Sequence, residues 1–300
     1  MNYLGGLFAA LLFAAGSVLA GPGEEAEAAY QQKDYTTAMR LWQQLAQAGD
    51  VVAQINLGAM YESGQGVAVD VQQAVFWYRK AADQGNAFAQ LSLGALYDRG
   101  QGIPADLQQA LFWYRKAADQ GNVFAQFNLG IIHYTGRGVA KDDEQALFWY
   151  KKAGDQGDAK AQYNVGFMYS TGKGTPNDDQ QAALWYRKAA DQGHAIAQYN
   201  LGTLYGSGRG VALDEEQAAR WYRAAADQGH AGAQNNLGFM YANGLGVPKD
   251  DQQAYFWWLL AVAGNDATAV NNRDAIEALL TPQQRAAAQA DVANWKPGKK

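Results

Sequence analysis

Apolar residues recur along this chain with the spacing of amphipathic helices. Ala53, Leu57 and Tyr61 stand four positions apart, which predicts a helix with one apolar face, called helix A below. A second apolar stretch, from Ala74 through Trp77, predicts another helix, called helix B. The pattern therefore indicates paired helices rather than strands, in which polar and apolar residues would alternate.

This pair of helices returns with a constant period. Trp77 and Trp113 are 36 residues apart, and the same step separates the tryptophans of all six copies. They are Trp77, Trp113, Trp149, Trp185, Trp221 and Trp257. A fixed period of roughly 20–50 residues is typical of solenoids, and a unit below about 40 residues rarely folds alone. We therefore expect each copy to be stabilised by its neighbours.

Glycine and aspartate mark the helix ends in every copy. Helix A ends at Gly64, which fits a left-handed position, and Gly66 follows in a tight turn. Asp70 begins helix B and, with Gln73, predicts a capping box. The same acid recurs at Asp106, Asp142, Asp178, Asp214 and Asp250. Because these carboxylates lie at the start of a helix, we interpret them as caps and not as catalytic pairs.

The residues of one copy resemble a known family. Ala-Gln-x-Asn-Leu-Gly-x-Met-Tyr, then Gly-x-Gly-Val, then Asp-x-x-Gln-Ala-x-x-Trp-Tyr-Arg-Lys-Ala-Ala-Asp-Gln-Gly is similar to the Sel-one-like repeats, relatives of tetratricopeptide repeats. The resemblance covers about residues 24–296. It implies an all-α fold, an α/α solenoid wound as a right-handed superhelix. It also implies a scaffold for protein complexes, often in bacterial envelopes, with no single activity.

The array is predicted to have modified ends. The predicted segments are a signal peptide at 1–20, a degenerate helical pair at 24–50, six repeats at 51–266, capping helices at 267–296 and a tail at 297–300. In the last helix B, Leu259 and Leu260 replace the Arg-Lys of other copies, so we expect another element to cover them. Thr281 and Pro282 predict the start of that closing helix.

Composition excludes several classes of function. The net charge is −5 and no basic stripe is present, which argues against a nucleic-acid partner. The chain contains no cysteine, which excludes disulfides, thiol catalysis, cysteine-ligated zinc and lipid attachment at an N-terminal cysteine.

The first twenty residues predict export. They contain no charged side chain, and Val18 and Ala20 occupy the −3 and −1 positions of a cleavage site. We expect a periplasmic or secreted protein that begins at Gly21 and has no transmembrane segment. The alternative is an uncleaved anchor, although the apolar run is shorter than the ~20 residues that span a bilayer.

Comparison of the copies separates packing positions from candidate binding positions. On a helical wheel, the shared residues of helix A fall in one arc and the varied residues in the opposite arc. In the second copy, for example, the varied positions hold Leu91 and Ala95. The resemblance implies that helix A lines the concave side of the solenoid. The candidate binding residues are Phe127, Tyr134, Tyr163, Phe167, Tyr199 and Phe239. We expect removal of Tyr163 and Tyr199 to cost little stability and to weaken binding.

The sequence leaves the role of these aromatic residues open. They could anchor a protein or peptide, stack on the sugars of peptidoglycan or another cell-wall carbohydrate, or fill gaps between helices. Another alternative is an enzyme. A cysteine-rich branch of the family is associated with penicillin binding and hydrolysis, and this chain lacks those cysteines.

The histidines and acids do not predict chemistry. His194 and His230 occupy the cap position where other copies have Asn86 or Asn122, so we interpret them as helix caps. His133 replaces a tyrosine and is either a local feature of the varied face or a satisfied core histidine. We expect no catalytic residue, no metal and no cofactor.

Overall fold

A computed structural model of the protein describes residues 21–298, and this part of the chain contains helices and no strand. The predicted signal peptide lies outside the described residues. The helices are α1 (Pro22–Gln31), α2 (Tyr35–Gln47), α3 (Val51–Ser63), α4 (Val71–Asp83), α5 (Ala87–Arg99), α6 (Leu107–Asp119), α7 (Val123–Thr135), α8 (Asp143–Asp155), α9 (Ala159–Thr171), α10 (Asp179–Asp191), α11 (Ala195–Ser207), α12 (Glu215–Ala226), α13 (Ala231–Asn243), α14 (Asp251–Ala263), α15 (Thr268–Glu277) and α16 (Pro282–Asn294). The predicted all-α repeat fold is confirmed, with odd-numbered helices from α3 to α13 as helix A and even-numbered helices from α4 to α14 as helix B.

The chain divides within α6 into two compact units. Unit 1 extends to Trp113 and unit 2 begins at Tyr114. In unit 1, α1 to α4 each pack against the next helix in sequence. In unit 2, α7 to α13 pack in the same way, and α14 contacts α15 and α16. Within each unit these helices are therefore stabilised mainly by their neighbours in sequence.

The helix ends lie where the sequence predicts them. The Asp70 carboxylate accepts a hydrogen bond from the Gln73 backbone N–H at 3.0 Å, and the equivalent aspartates cap the other B helices. The return bond of the predicted capping box is not formed, because the Asp70 backbone N–H donates to the Tyr61 carbonyl at 2.9 Å. Gly64 ends α3 in the left-handed conformation, with φ of 73°. The boundaries of the repeat are thus set by local chemistry.

The shared residues form the core. In unit 2 one buried cluster contains Tyr150 from α8, Val165 and Met168 from α9, and Trp185 from α10. Three successive helices therefore contribute to a single cluster. This arrangement explains why one copy cannot bury its own apolar face, as the length of the repeat predicts.

Two glycines per copy allow close approach between elements. A Cβ at Gly166 would lie 2.7 Å from the Tyr186 ring, so the missing side chain lets helix B pack directly on helix A. Gly210 has φ of +69°, and a Cβ there would lie 2.1 Å from the Asp179 carbonyl oxygen on the preceding helix B. The second glycine of the loop is therefore needed for contact between copies as well as for the turn.

A ladder of buried glutamines joins successive copies. Gln162 is 5% exposed, and its amide donates to the Gly154 carbonyl at 2.9 Å. Its side-chain oxygen accepts from Gln192 of the next helix B at 2.8 Å. Gln126 and Gln198 repeat this geometry. The glutamines satisfy carbonyls at the ends of B helices that would otherwise be buried without a partner.

The C-terminal end is closed by α16. Thr281 caps this helix in a capping box with Gln284, and Pro282 occupies the first turn, as predicted. Leu260 on α14 is 6% exposed and packs in a cluster with Val292 and Trp295. The expected cover over the last helix B is therefore present.

Candidate protein-binding face

The six residues predicted to bind a partner all lie in unit 2 and are all partly exposed. Phe127 and Tyr134 lie on α7, Tyr163 and Phe167 on α9, Tyr199 on α11 and Phe239 on α13. Phe239 is 52% exposed and the other five are half-buried. These six residues are called the aromatic face below.

The half-buried rings both pack and reach the surface. The Tyr163 ring lies 6.0 Å from the buried Tyr186 ring, and Tyr199 lies 5.9 Å from Tyr222. The sequence left open whether such residues pack or face a partner, and these tyrosines have one side against the core and one at the surface. Removing Tyr163 and Tyr199 should therefore cost more stability than we expected from the sequence.

His194 and His230 are the N-caps of α11 and α13, so their predicted role is confirmed. The His194 Nδ1 accepts a hydrogen bond from the Ala197 backbone N–H at 3.2 Å. The same imidazole stacks on the Tyr163 ring, with centroids 4.8 Å apart. His230 stacks on Tyr199 in the same way, at 4.6 Å. Tyr163 and Tyr199 thus each contact the cap of the next helix A.

Burial and the cap bond to Nδ1 favour the neutral form of both histidines. Burial lowers the pKa of His194, Lys160 lowers it further, and Asp158 opposes them. Burial also lowers the pKa of His230, with Asp266 opposing. Protonation would remove the cap, which costs about 1 kcal/mol. It would also place a cation at the positive end of a helix, which costs about 0.3–1 kcal/mol. Attraction between the imidazolium and a tyrosine ring would offset only about 0.5–1 kcal/mol of this cost.

Lys173 connects two helices of the aromatic face. Its ammonium donates a hydrogen bond to the Tyr134 hydroxyl at 2.7 Å and lies 5.2 Å from the Phe167 ring centroid. The hydrogen bond to Tyr134 raises the pKa of Lys173. A second ammonium, that of Lys141, lies 5.7 Å from the Tyr134 ring. The edge of the face therefore carries two ammonium groups, of which that of Lys141 is paired with Asp143 at 3.0 Å.

The helices that carry the aromatic face contain no carboxylate. None of α7, α9, α11 and α13 includes aspartate or glutamate, although acids outnumber bases in the whole chain. The one lysine or arginine within these helices is Lys160. Arg137, Lys173 and Arg209 follow α7, α9 and α11 in equivalent loop positions, and Arg209 is paired with Asp179. The surface is thus apolar with a basic edge in an acidic protein.

The structure corrects one sequence-based expectation and excludes one of the two alternatives for His133. Leu91 and Ala95, which occupy varied positions in unit 1, are only 5% and 6% exposed, so they are packing residues. His133 is half-buried, and its Nδ1 has no hydrogen-bond partner among residues 21–298, so it is not a satisfied core histidine. Burial lowers the pKa of His133. Variation between copies therefore does not by itself show that a position faces a partner.

Sequence reasoning missed that one repeated position of helix B holds exposed apolar residues in both units. Phe76 and Phe112 in unit 1 are 47% and 48% exposed, and Phe148 and Leu184 in unit 2 are 46% and 51% exposed. Each of these phenylalanines packs edge-on against the tryptophan that follows it, as Phe148 does on Trp149 at 4.9 Å. The adjacent Phe-Trp pair in the sequence could have indicated the exposed phenylalanines, because neighbouring residues on a helix point about 100° apart and cannot both face the core.

The described residues offer little to other kinds of site. No helix within residues 21–298 is long and apolar enough to cross a membrane. Over the same range, no cluster of three or more histidine, aspartate or glutamate side chains could hold a metal ion. The acids at the starts of the B helices are occupied as caps.

Repeated helix pairs with a shared buried face define a tandem α/α repeat protein. Seven consecutive segments match the Sel1 repeat: 27–50, 51–86, 87–122, 123–158, 159–194, 195–230 and 231–266. The chain belongs to the Sel1 repeat family. The first matching segment lies in the region predicted as a degenerate opening pair.

Solved structures show the same architecture. A protective antigen present in uropathogenic Escherichia coli strains, with an SLR fold, is 36% identical over 91% of this chain, with a TM-score of 0.75. The chain spans 60% of the length of that structure. A Sel1 repeat protein from Oxalobacter formigenes is 33% identical, covering 81% of this chain and 97% of its own, with a TM-score of 0.65. No curated protein sequence gave a significant match.

A more distant structure shares only the fold. The C-terminal part of a tetratricopeptide-repeat protein from Cytophaga hutchinsonii is 14% identical, with a TM-score of 0.50. It covers 82% of this chain and 97% of its own. The family and the fold together are those of a repeat scaffold, which is consistent with a role in protein interaction.

Proposed function

We propose that this protein is an exported scaffold that binds an extended segment of another protein on the aromatic face of unit 2. The observation that carries the proposal is the linked series of partly exposed rings across successive helices. Lys173 joins Tyr134 to Phe167, and Tyr163 stacks on the cap of α11. A ring that is already held by its neighbours loses little freedom on binding, which favours its use as an anchor.

The charge of the surface indicates the chemistry of the partner. Apolar side chains of the partner would pack on the rings, and its carboxylates would meet Lys160 and Lys173. The absence of carboxylates on α7, α9, α11 and α13 removes repulsion from such a segment. We therefore propose an acidic, apolar-containing peptide segment as the ligand, rather than a neutral sugar, which has no charge to pair with the basic edge.

Photo-crosslinking in producing cells tests which face binds. A photoreactive residue at Phe239 or Ile196, which are 52% and 44% exposed, should give defined adducts with a protein that contains an acidic segment. Phe148 and Leu184 are matched controls, because they are 46% and 51% exposed apolar positions on helix B of the same unit. Mass spectrometry of the adducts identifies the captured peptide.

The outcomes separate the possibilities. Adducts from position 239 or 196 that are reduced by Lys173→Glu would support the proposal, because charge reversal should repel an acidic segment. Equal yields of adducts from positions 148 and 184 on helix B would contradict the proposal that the partner binds on the aromatic face. Adducts with glycan strands would favour the carbohydrate alternative.

We also propose that the chain is exported and that cleavage follows Ala20. The support is the uncharged apolar start and the small residues Val18 and Ala20. N-terminal sequencing of the protein from a cell fractionation should give Gly-Pro-Gly-Glu in the envelope or medium. Ala20→Arg, which places a large charged residue at the −1 position, should block processing and serves as the control. A mature protein that starts at Met1 and fractionates with the cytosol contradicts export.

A further inference from the structure

His194 and His230 couple the aromatic face to the ends of its own helices. Each imidazole makes two contacts at once: Nδ1 accepts a backbone N–H of the helix that it caps, and the ring stacks on a tyrosine of the preceding helix A. Because Nδ1 is the acceptor, the proton of the neutral ring is on Nε2. A second proton can therefore enter only at Nδ1, where it would destroy the cap.

We propose that His194 and His230 make the aromatic face of unit 2 sensitive to acidification: protonation opens the caps of α11 and α13 and releases Tyr163 and Tyr199 from their stacks. The link to ligand release rests on the proposed function, whereas the opening of the caps does not. The same arrangement, a capping histidine stacked on a tyrosine, occurs in two successive copies.

The direction of the pH dependence follows from the state that the fold prefers. The neutral imidazole is the form that caps, and burial lowers the pKa of both histidines from the ordinary value of 6.5. The caps are therefore complete above about pH 6.5. They are lost as the pH falls through the lowered pKa of the folded protein.

The charged groups around the two histidines do not reverse this direction. Lys160 on α9 disfavours a charged His194, and Asp158 before α9 favours it. Asp266, which follows α14, favours a charged His230. Burial is the largest effect at both sites, so the neutral form is preferred despite the aspartates.

Another copy provides a built-in control. Asn122 caps α7 through the same bond, to the backbone N–H of Ala125. Asparagine has no titratable group. Acidification through the lowered pKa of the two histidines should therefore leave the cap of α7 intact while it opens those of α11 and α13.

Hydrogen exchange of the full mature chain tests the opening of the caps. In a titration downward from about pH 7.5, we expect the protection factors of Ala197 and Ala233 to fall about fivefold, the effect of losing one cap, as the pH passes through the lowered pKa of the two histidines. The protection factor of Ala125 should stay constant. In the His194→Asn/His230→Asn variant, which substitutes a native cap residue, the fall in protection should disappear. Protection of Ala197 and Ala233 that changes with pH in the same way in the wild-type chain and in the variant would overturn the proposal.

Crosslinking yield tests the consequence for binding. With a photoreactive residue at position 196 in an envelope extract, the crosslinking yield of the wild-type chain should fall about fivefold over the same titration, together with the protection of Ala197. The crosslinking yield of the asparagine variant should stay constant. If the caps open but the yield is constant, the regulatory link is wrong and the proposed function stands. If no adduct forms at any pH, the proposed function fails, while the protection factors still show whether the caps open.

Discussion

Replacing Trp149 with alanine should destabilise the protein by about 3–5 kcal/mol, the usual cost of a large core truncation. Trp149 on α8 is 2% exposed, and the Arg115 guanidinium lies 4.9 Å from its ring centroid. The indole N–H has no hydrogen-bond partner among residues 21–298, so the expected loss comes from packing and not from a hydrogen bond. Chemical denaturation followed by circular dichroism measures the change.

The neighbouring Phe148 is the matched control for this substitution. It lies on the same helix and contacts the Trp149 ring, yet it is 46% exposed. Phe148→Ala should therefore cost about 1 kcal/mol or less, because little apolar area returns to water. Equal losses of stability for the two variants would show that burial does not predict the cost of a substitution in this array.

Deletion of residues 281–300 should make the protein aggregate or lose cooperative unfolding, since terminal repeats need a cap. The deletion removes α16, which covers Tyr255 and Leu260 on α14. These residues are 1% and 6% exposed, and exposing each costs about 1.5–3 kcal/mol. Thermal melting and size-exclusion chromatography report the outcome.

A pair of point variants distinguishes the loss of the cover from general damage to the terminus. Ala288 is fully buried in the cluster with Tyr255, whereas Ala287 beside it is exposed. Ala288→Glu should reproduce much of the effect of the deletion, because it buries an unpaired charge. Ala287→Glu should leave the melting temperature nearly unchanged. A truncated protein that stays monomeric and as stable as the parent would contradict the assignment of α16 as a cap.

The helices, their boundaries and the family could be predicted from the sequence because they depend on local and repeated signals. Asp70 caps α4 through a bond to a residue three positions away, and Gly64 takes up a conformation that other residues rarely adopt. The 36-residue period adds a second source of information, because six copies reveal which positions pack. His194 and His230 were recognised as caps in this way.

The sequence by itself determined the repeat, the core positions and the helix caps, since each depends on neighbours in the chain or on comparison between copies. The tertiary structure decided the rest. The Tyr163–His194 stack joins residues 31 positions apart, and the Lys173–Tyr134 bond joins residues 39 positions apart. The tertiary structure also decided that Leu91 is buried while Phe239 is exposed. Such contacts depend on how successive helices are placed in space, and spacing along one helix carries no information about that placement.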